Sequence, residues 1–387
     1  MIYTSCGEAA ISASIGDRIV YRNLVPADPR LPSIADLRHR LSLRDDELPR
    51  KAERSYGMVL AAMLREARRM TLPSSHLTRL VYIGDTRMND GTAFANLCAA
   101  EDWAGWAFIG CDRPAESPHF EIDGNTYLAN RWSALPAFQR FLATQGLAMD
   151  EDTAVVLDMD KTFVGARGRN DTAIDAARLD AVFATVSAIV GSDMDSDAFR
   201  KSYEILNQSS YHPFTADNQD YLVYICLIIS SGLVSLESLL HNLQSTEMRR
   251  FDQFLANVQS QRRHLTPKGL LDVHDSVWSN VQAGDPTPFK AFRYNEYLST
   301  ARRFGDLPGV SMPDLLRQRI LITEEVREFV LDAEARGALT FAISDKPDEA
   351  SLPSQEQALA GMKPLHRLPT IAVREVTPAV GDGAASE

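Results

Sequence analysis

Sulfur, positive charge and long apolar runs are all scarce in this chain, and each shortage removes a class of function. Four cysteines in 387 residues, Cys6, Cys98, Cys111 and Cys226, form no CxxC pair. That excludes a thiolate zinc knuckle or a disulfide scaffold and fits free thiols in a reducing cytoplasm. The eight histidines make no HExxH, and neither a Walker loop nor a GxGxxG is present. The net charge of −12 argues against general affinity for a nucleic acid backbone. One segment, 221–236, carries no charge for 16 residues. It is shorter than the roughly 20 residues a membrane span needs, and reads as a buried helix. The first residues lack a basic stretch followed by an apolar core, so no signal peptide is expected. With 45% hydrophobic and 24% charged residues, the composition is that of a globular chain with room for two domains.

What the chain does have is acidic strand ends. Val155, Val156 and Leu157 read as a buried strand that stops at Asp158, with Asp160 two residues on and Thr162 after it. Two carboxylates can share a pocket there as the chain turns off the sheet, one as nucleophile or metal ligand and one as proton donor. Upstream, Leu80 to Ile83 form a second apolar run, ending at Gly84 and Asp85 with Asn89 and Asp90 close behind. Four aspartates at two strand ends repel one another unless a cation joins them, and a hard ion such as Mg2+ suits oxygen donors on a tight loop. A third run, Leu339 to Ile343, leads into Ser344, Asp345, Lys346 and Pro347, a hydroxyl and a cation suited to phosphoryl oxygens.

Taken together, these segments resemble the haloacid dehalogenase (HAD) superfamily of aspartate-nucleophile phosphohydrolases. Asp158, Asp160 and Thr162 match its first motif, Ser344 its second, and Gly84, Asp85 and Asp90 its fourth. The order differs from the family's, because the fourth motif precedes the first; a single circular permutation accounts for it. The family's third-motif lysine then falls at Lys51, ahead of a helical stretch in which Tyr56, Val59, Leu60, Met63 and Leu64 recur at helical spacing. Lys346, beside Ser344, is the rival lysine. The resemblance implies an α/β fold with a Rossmann-like parallel sheet and a large helical cap. It also implies Mg2+ held by Asp158, the Asp160 carbonyl and Asp85, with Asp90 or Asn89 adjusting the shell. The implied substrate is a small phosphorylated metabolite, hydrolysed through an aspartyl-phosphate.

The corresponding organisation is an N-terminal extension over 1–50, a first core segment over 51–162, a cap over 163–338, a second core segment over 339–375 and a disordered tail over 376–387. Expected elements include a strand at 18–22, helices at 51–70, 92–100 and 134–144, a strand at 106–110 and a hairpin at 120–130. In the cap, helices are expected at 176–190, 221–240, 248–259 and 323–335, and residues 369–373 are expected to supply a further core strand. Arg167 and Arg169 read as a solvated hinge face, with a substrate anion as the alternative. Two other functions use similar residues. A receiver-like phospho-acceptor would use Asp85, Asp158, Ser344 and Lys346, and a dehalogenase would use the same nucleophile on carbon. Neither accounts for an acid two residues after the nucleophile.

Overall fold

Ten strands fall into two sheets in the computed structural model of the chain, which describes residues 1–44, 48–191, 195–266 and 268–376. They are β1 (Tyr3–Ala9), β2 (Ile19–Val20), β3 (Arg79–Gly84), β4 (Ala104–Gly110), β5 (Phe120–Asp123), β6 (Thr126–Ala129), β7 (Thr153–Asp158), β8 (Ile322–Thr323), β9 (Leu339–Ile343) and β10 (Thr370–Glu375). The larger sheet runs β2-β9-β7-β3-β4-β6-β5 and is parallel throughout except for the β5–β6 hairpin. The fold is therefore α/β with a mostly parallel seven-stranded sheet. Every residue of β7 and β9 is buried, as expected of parallel strands covered on both faces.

Register brings the acidic ends together. β7 lies between β3 and β9, with Ile83 opposite Leu157 and Asp158 opposite Ile343. Asp85, Asp158 and Ser344 consequently leave the sheet side by side. The helix Arg54–Thr71 buries Val59, Leu60, Met63 and Leu64 in one cluster with Leu80, Tyr82, Val156, Phe341 and Ile343, which fixes one face of the sheet. Lys51 stands in the turn just before this helix, which starts three residues later than its sequence pattern suggests.

The chain divides into two compact units. One comprises the described residues of 1–176, 300–352 and 358–387; the other comprises those of 177–299 with 353–357 and is built of helices. The helical unit is thus shorter than the 163–338 expected from the sequence, because 163–176 and 300–338 belong with the sheets. Its core gathers Val182, Phe199, Tyr224, Phe254 and Phe292. The single helix expected over 221–240 is two, Gln219–Ser230 and Leu236–Gln244. Gly232 turns the chain in the left-handed region between them, and the Ser235 hydroxyl caps the second. Among the described residues no helix is long and apolar enough to cross a membrane.

One further expectation changes: residues 370–375 do not enter the main sheet, and β10 pairs with β1 and β8 in a separate three-stranded sheet. Within the first 50 residues, the strand expected over 18–22 forms as β2 and pairs with β9. Of the tail expected over 376–387, residues 377–387 lie outside the described residues.

Phe341 is fully buried at the centre of β9. Phe341→Ala should cost about 3–5 kcal/mol of unfolding free energy, the usual range for such a truncation. Chemical denaturation reads this directly, and a loss below about 1 kcal/mol would contradict the packing described.

Candidate active site

Asp158 is buried to 1% exposure at the end of β7, with a different donor on each carboxylate oxygen. The Lys51 ammonium donates to Oδ1 at 2.6 Å, and the Thr162 hydroxyl donates to Oδ2 at 3.2 Å. Thr162 is itself held by the Thr323 hydroxyl, which donates to its carbonyl at 2.6 Å. Lys51 also reaches Asp90 at 3.1 Å and the exposed Asp345 at 3.0 Å. Burial alone would depress the lysine; Asp158, Asp345 and Asp90 override it and hold the ammonium well above its ordinary range. Burial pushes the Asp158 carboxyl up and Lys51 opposes it, while Asp90 and Asp85 add to the upward push.

Asp90 organises the neighbouring loop. Its Oδ2 accepts the backbone N–H groups of Asp85 and Thr86 and the Thr86 hydroxyl, and its Oδ1 accepts Lys51 and the Tyr82 hydroxyl. Lys51 is the strongest of these five donors in effect, and with the loop donors it holds the Asp90 carboxyl below the usual carboxylate range despite burial. Gly84 is required by this packing, because a Cβ there would lie 2.5 Å from that of Asp90.

Asp85 completes the cluster. Oxygens of Asp85, Asp90 and Asp158 lie within 4.8 Å of one another, so the triad could hold a metal ion. The donor set is all oxygen, as a hard cation requires. Around it, Lys51 meets Asp90, Asp158 and Asp345, and Arg167 pairs with Asp85, so two cations face four carboxyl groups. Within the triad Asp85 and Asp158 have the fewer donors, so the expected ligands Asp85 and Asp158 are brought together, and Asp90 joins them chiefly as the anchor of the loop. Asn89 is exposed.

Asp160 departs to the other side. Its carboxylate accepts the Ser344 hydroxyl at 2.8 Å, and the Lys346 N–H donates to that hydroxyl oxygen at 3.1 Å. The run 344–346 alternates: Ser344 and Lys346 face the Asp160 side, and Asp345 faces Lys51. Of the two candidate lysines, Lys51 therefore contacts Asp158, whereas the Lys346 ammonium donates to the Thr300 hydroxyl at 3.1 Å.

The hinge reading of the two arginines is corrected. Arg169 is buried, bonded to Asp112, to both oxygens of Glu325 and to the Val373 carbonyl. Arg167 is the ion-pair partner of Asp85. Tyr82, Asp345 and this Arg167 contact were not singled out from the sequence. Only the charge excess of the acidic loops hinted that a guanidinium would be needed there.

Burial first, and Asp90 beside it second, raise the Asp85 carboxyl to about 7, with Arg167 opposing. A raised acid stabilises the fold at low pH, and this contribution is lost as pH climbs from its unfolded value near 3.8 through about 7. In a chelator, Asp85→Asn should therefore gain melting temperature relative to wild type between about pH 5 and pH 8. Excess Mg2+ should reverse the sign at the upper end, because the ion stabilises only the protein that binds it. Parallel melting curves with and without Mg2+ check both directions.

In comparisons with known proteins, no family model, curated protein sequence or solved structure matches this chain.

Proposed function

We propose that the protein is a Mg2+-dependent phosphohydrolase of the haloacid dehalogenase type, with its core motifs in circularly permuted order. One observation carries the reading: Asp158 stands at the end of a central parallel strand, clamped by Lys51 and Thr162, with Asp85 on one flanking strand and Ser344 on the other. Open α/β sheets bind ligands at this edge. A bound Mg2+ would supply charge neutralisation for a phosphoryl group beside Asp85 and Asp158.

On this reading one Asp158 oxygen attacks phosphorus, forming an acyl phosphate as the ester P–O bond breaks. Asp160 gives a proton to the departing alkoxide, then takes one from the water that hydrolyses the acyl phosphate. Ser344 orients Asp160 by donating its hydroxyl to the Asp160 carboxylate. Lys51 neutralises charge as it builds up on the phosphoryl oxygens. The substrate is a small phosphate ester. A receiver-like switch is less well supported, because it needs the lysine after Ser344 at the acceptor, and Lys346 bonds Thr300 instead.

Turnover of p-nitrophenyl phosphate with Mg2+ tests the reading. Asp158→Asn should lower kcat by at least about a thousandfold, since an amide cannot form the acyl phosphate. Asp160→Asn should slow turnover by about a hundredfold or more while phosphoenzyme still forms from this good leaving group. Wild-type turnover by Asp158→Asn, or no Mg2+-dependent turnover by the native chain, would refute it.

A further inference from the structure

Asp160 lines one side of a recess whose apolar walls include Val164, Ile174 and Phe304, with Lys346, Thr300, Ser344 and Ser351 as its other polar groups. It is open on one side, and the space inside it that a water-sized group can occupy is about 20 Å³. Lys346 is 95% buried, at 5% exposure. Its ammonium donates to the Thr300 hydroxyl at 3.1 Å, and among the described residues no carboxylate lies within 4.0 Å of it. Lys51, a few residues of sheet away, meets three carboxylates. A buried ammonium without a counter-ion is costly, and apolar walls strengthen its pull on any anion that enters.

We propose that this recess binds a carboxylate of the substrate through Lys346, so that the protein acts on phosphate esters of small organic acids. The proposal rests on the phosphohydrolase reading and adds the substrate class to it. Three features favour a carboxylate over a second phosphate. Asp160 already brings an acidic group to the recess beside Lys346, so a carboxylate monoanion is repelled less there than a phosphate dianion. The other hydrogen-bonding groups facing the recess are the hydroxyls of Thr300, Ser344 and Ser351, too few for the donor-rich cradle a phosphate commands. The apolar walls suit the short carbon chain that joins the two ends of such a substrate. Position agrees: Ser344 links the recess to Asp160, the group assigned to the leaving oxygen. The alcohol half of the ester, which would carry the carboxylate, therefore lies toward Lys346, and the phosphoryl half toward Lys51.

The test gives the full chain, with Mg2+, three esters: p-nitrophenyl phosphate, glycerol 3-phosphate and 3-phosphoglycerate. The last two differ in a carboxylate replacing a hydroxymethyl group. In wild type, kcat/KM for the acid should exceed that for the neutral ester by about tenfold or more, the scale of one charge-assisted hydrogen bond. Lys346→Met should bring the ratio close to one, and Lys346→Arg should restore most of it, which separates loss of charge from loss of fold. A wild-type ratio near one, or a ratio unchanged in Lys346→Met, would overturn the proposal while p-nitrophenyl phosphate turnover left the phosphohydrolase reading standing. If no ester is hydrolysed, that reading fails and the recess is judged by saturation-transfer NMR with glycolate. Contact seen in wild type and lost in Lys346→Met supports the carboxylate site; no contact in wild type overturns it.

Discussion

Lys51 brings a positive charge to a place where Asp158, Asp90 and Asp345 converge, and the candidate site is arranged around that charge. Without it, two carboxylates at 1% exposure would face each other in a low-dielectric environment, a situation proteins ordinarily resolve by protonation. With it, Asp158 has a cationic partner in direct contact at the strand end, and the Asp90 loop closes against the sheet. The lysine comes from a turn more than 100 residues from Asp158 in the chain, held over the strand ends by the helix Arg54–Thr71 packed on the sheet. The hydrophobic cluster beneath that helix and the electrostatics above it are therefore linked: loosening the helix would move the charge.

The two aspartates at the end of β7 diverge as the chain turns off the sheet. Asp158 faces Lys51 and the Asp85 loop, whereas Asp160 faces Ser344. The neighbouring end of β9 repeats the division, with Asp345 on one side and Ser344 and Lys346 on the other. Two chemically distinct compartments result, one rich in carboxylates and suited to a cation, the other largely apolar with one ammonium, Lys346, and one carboxylate, Asp160. A substrate with unlike ends would be oriented by that asymmetry before any bond changed.

The segment leaving β7 is fixed as firmly as the strand. Arg169 ties it to Asp112, Glu325 and the Val373 carbonyl, and its guanidinium lies over the Tyr3 ring at 4.9 Å. Gly168 passes so close to the Asp112 carbonyl that a Cβ there would lie 1.9 Å from its oxygen, and its φ of +76° suits glycine. This anchoring lets Arg167 reach Asp85. A buried charged network of this kind is costly to break, because removing one member strands the others.

The central strands β3, β4, β7 and β9 and the aspartates that end β3 and β7 were legible in the sequence, because parallel strands buried on both faces write continuous apolar runs, whereas β1 and β8 gave no such run. The hairpin at 120–130 was legible from its Asp-Gly turn for the same local reason. Local patterning could not decide which lysine meets Asp158, since Lys51 and Lys346 are equally ordinary residues beside a helix and a turn; only the packing of the helix over the sheet brings Lys51 in and leaves Lys346 with Thr300. Nor could it place residues 370–375, whose β-rich run pairs with whichever edge the fold offers, here β1 and β8. Arg167 and Arg169 read as solvent-facing because charge and flanking glycines favour exposure on average; the tertiary structure buried Arg169 between Asp112 and Glu325 and gave the partly exposed Arg167 one distant partner, Asp85. Chemistry that depends on adjacent residues was carried by the sequence; chemistry that depends on which distant charge lies within about 3 Å was decided by the fold.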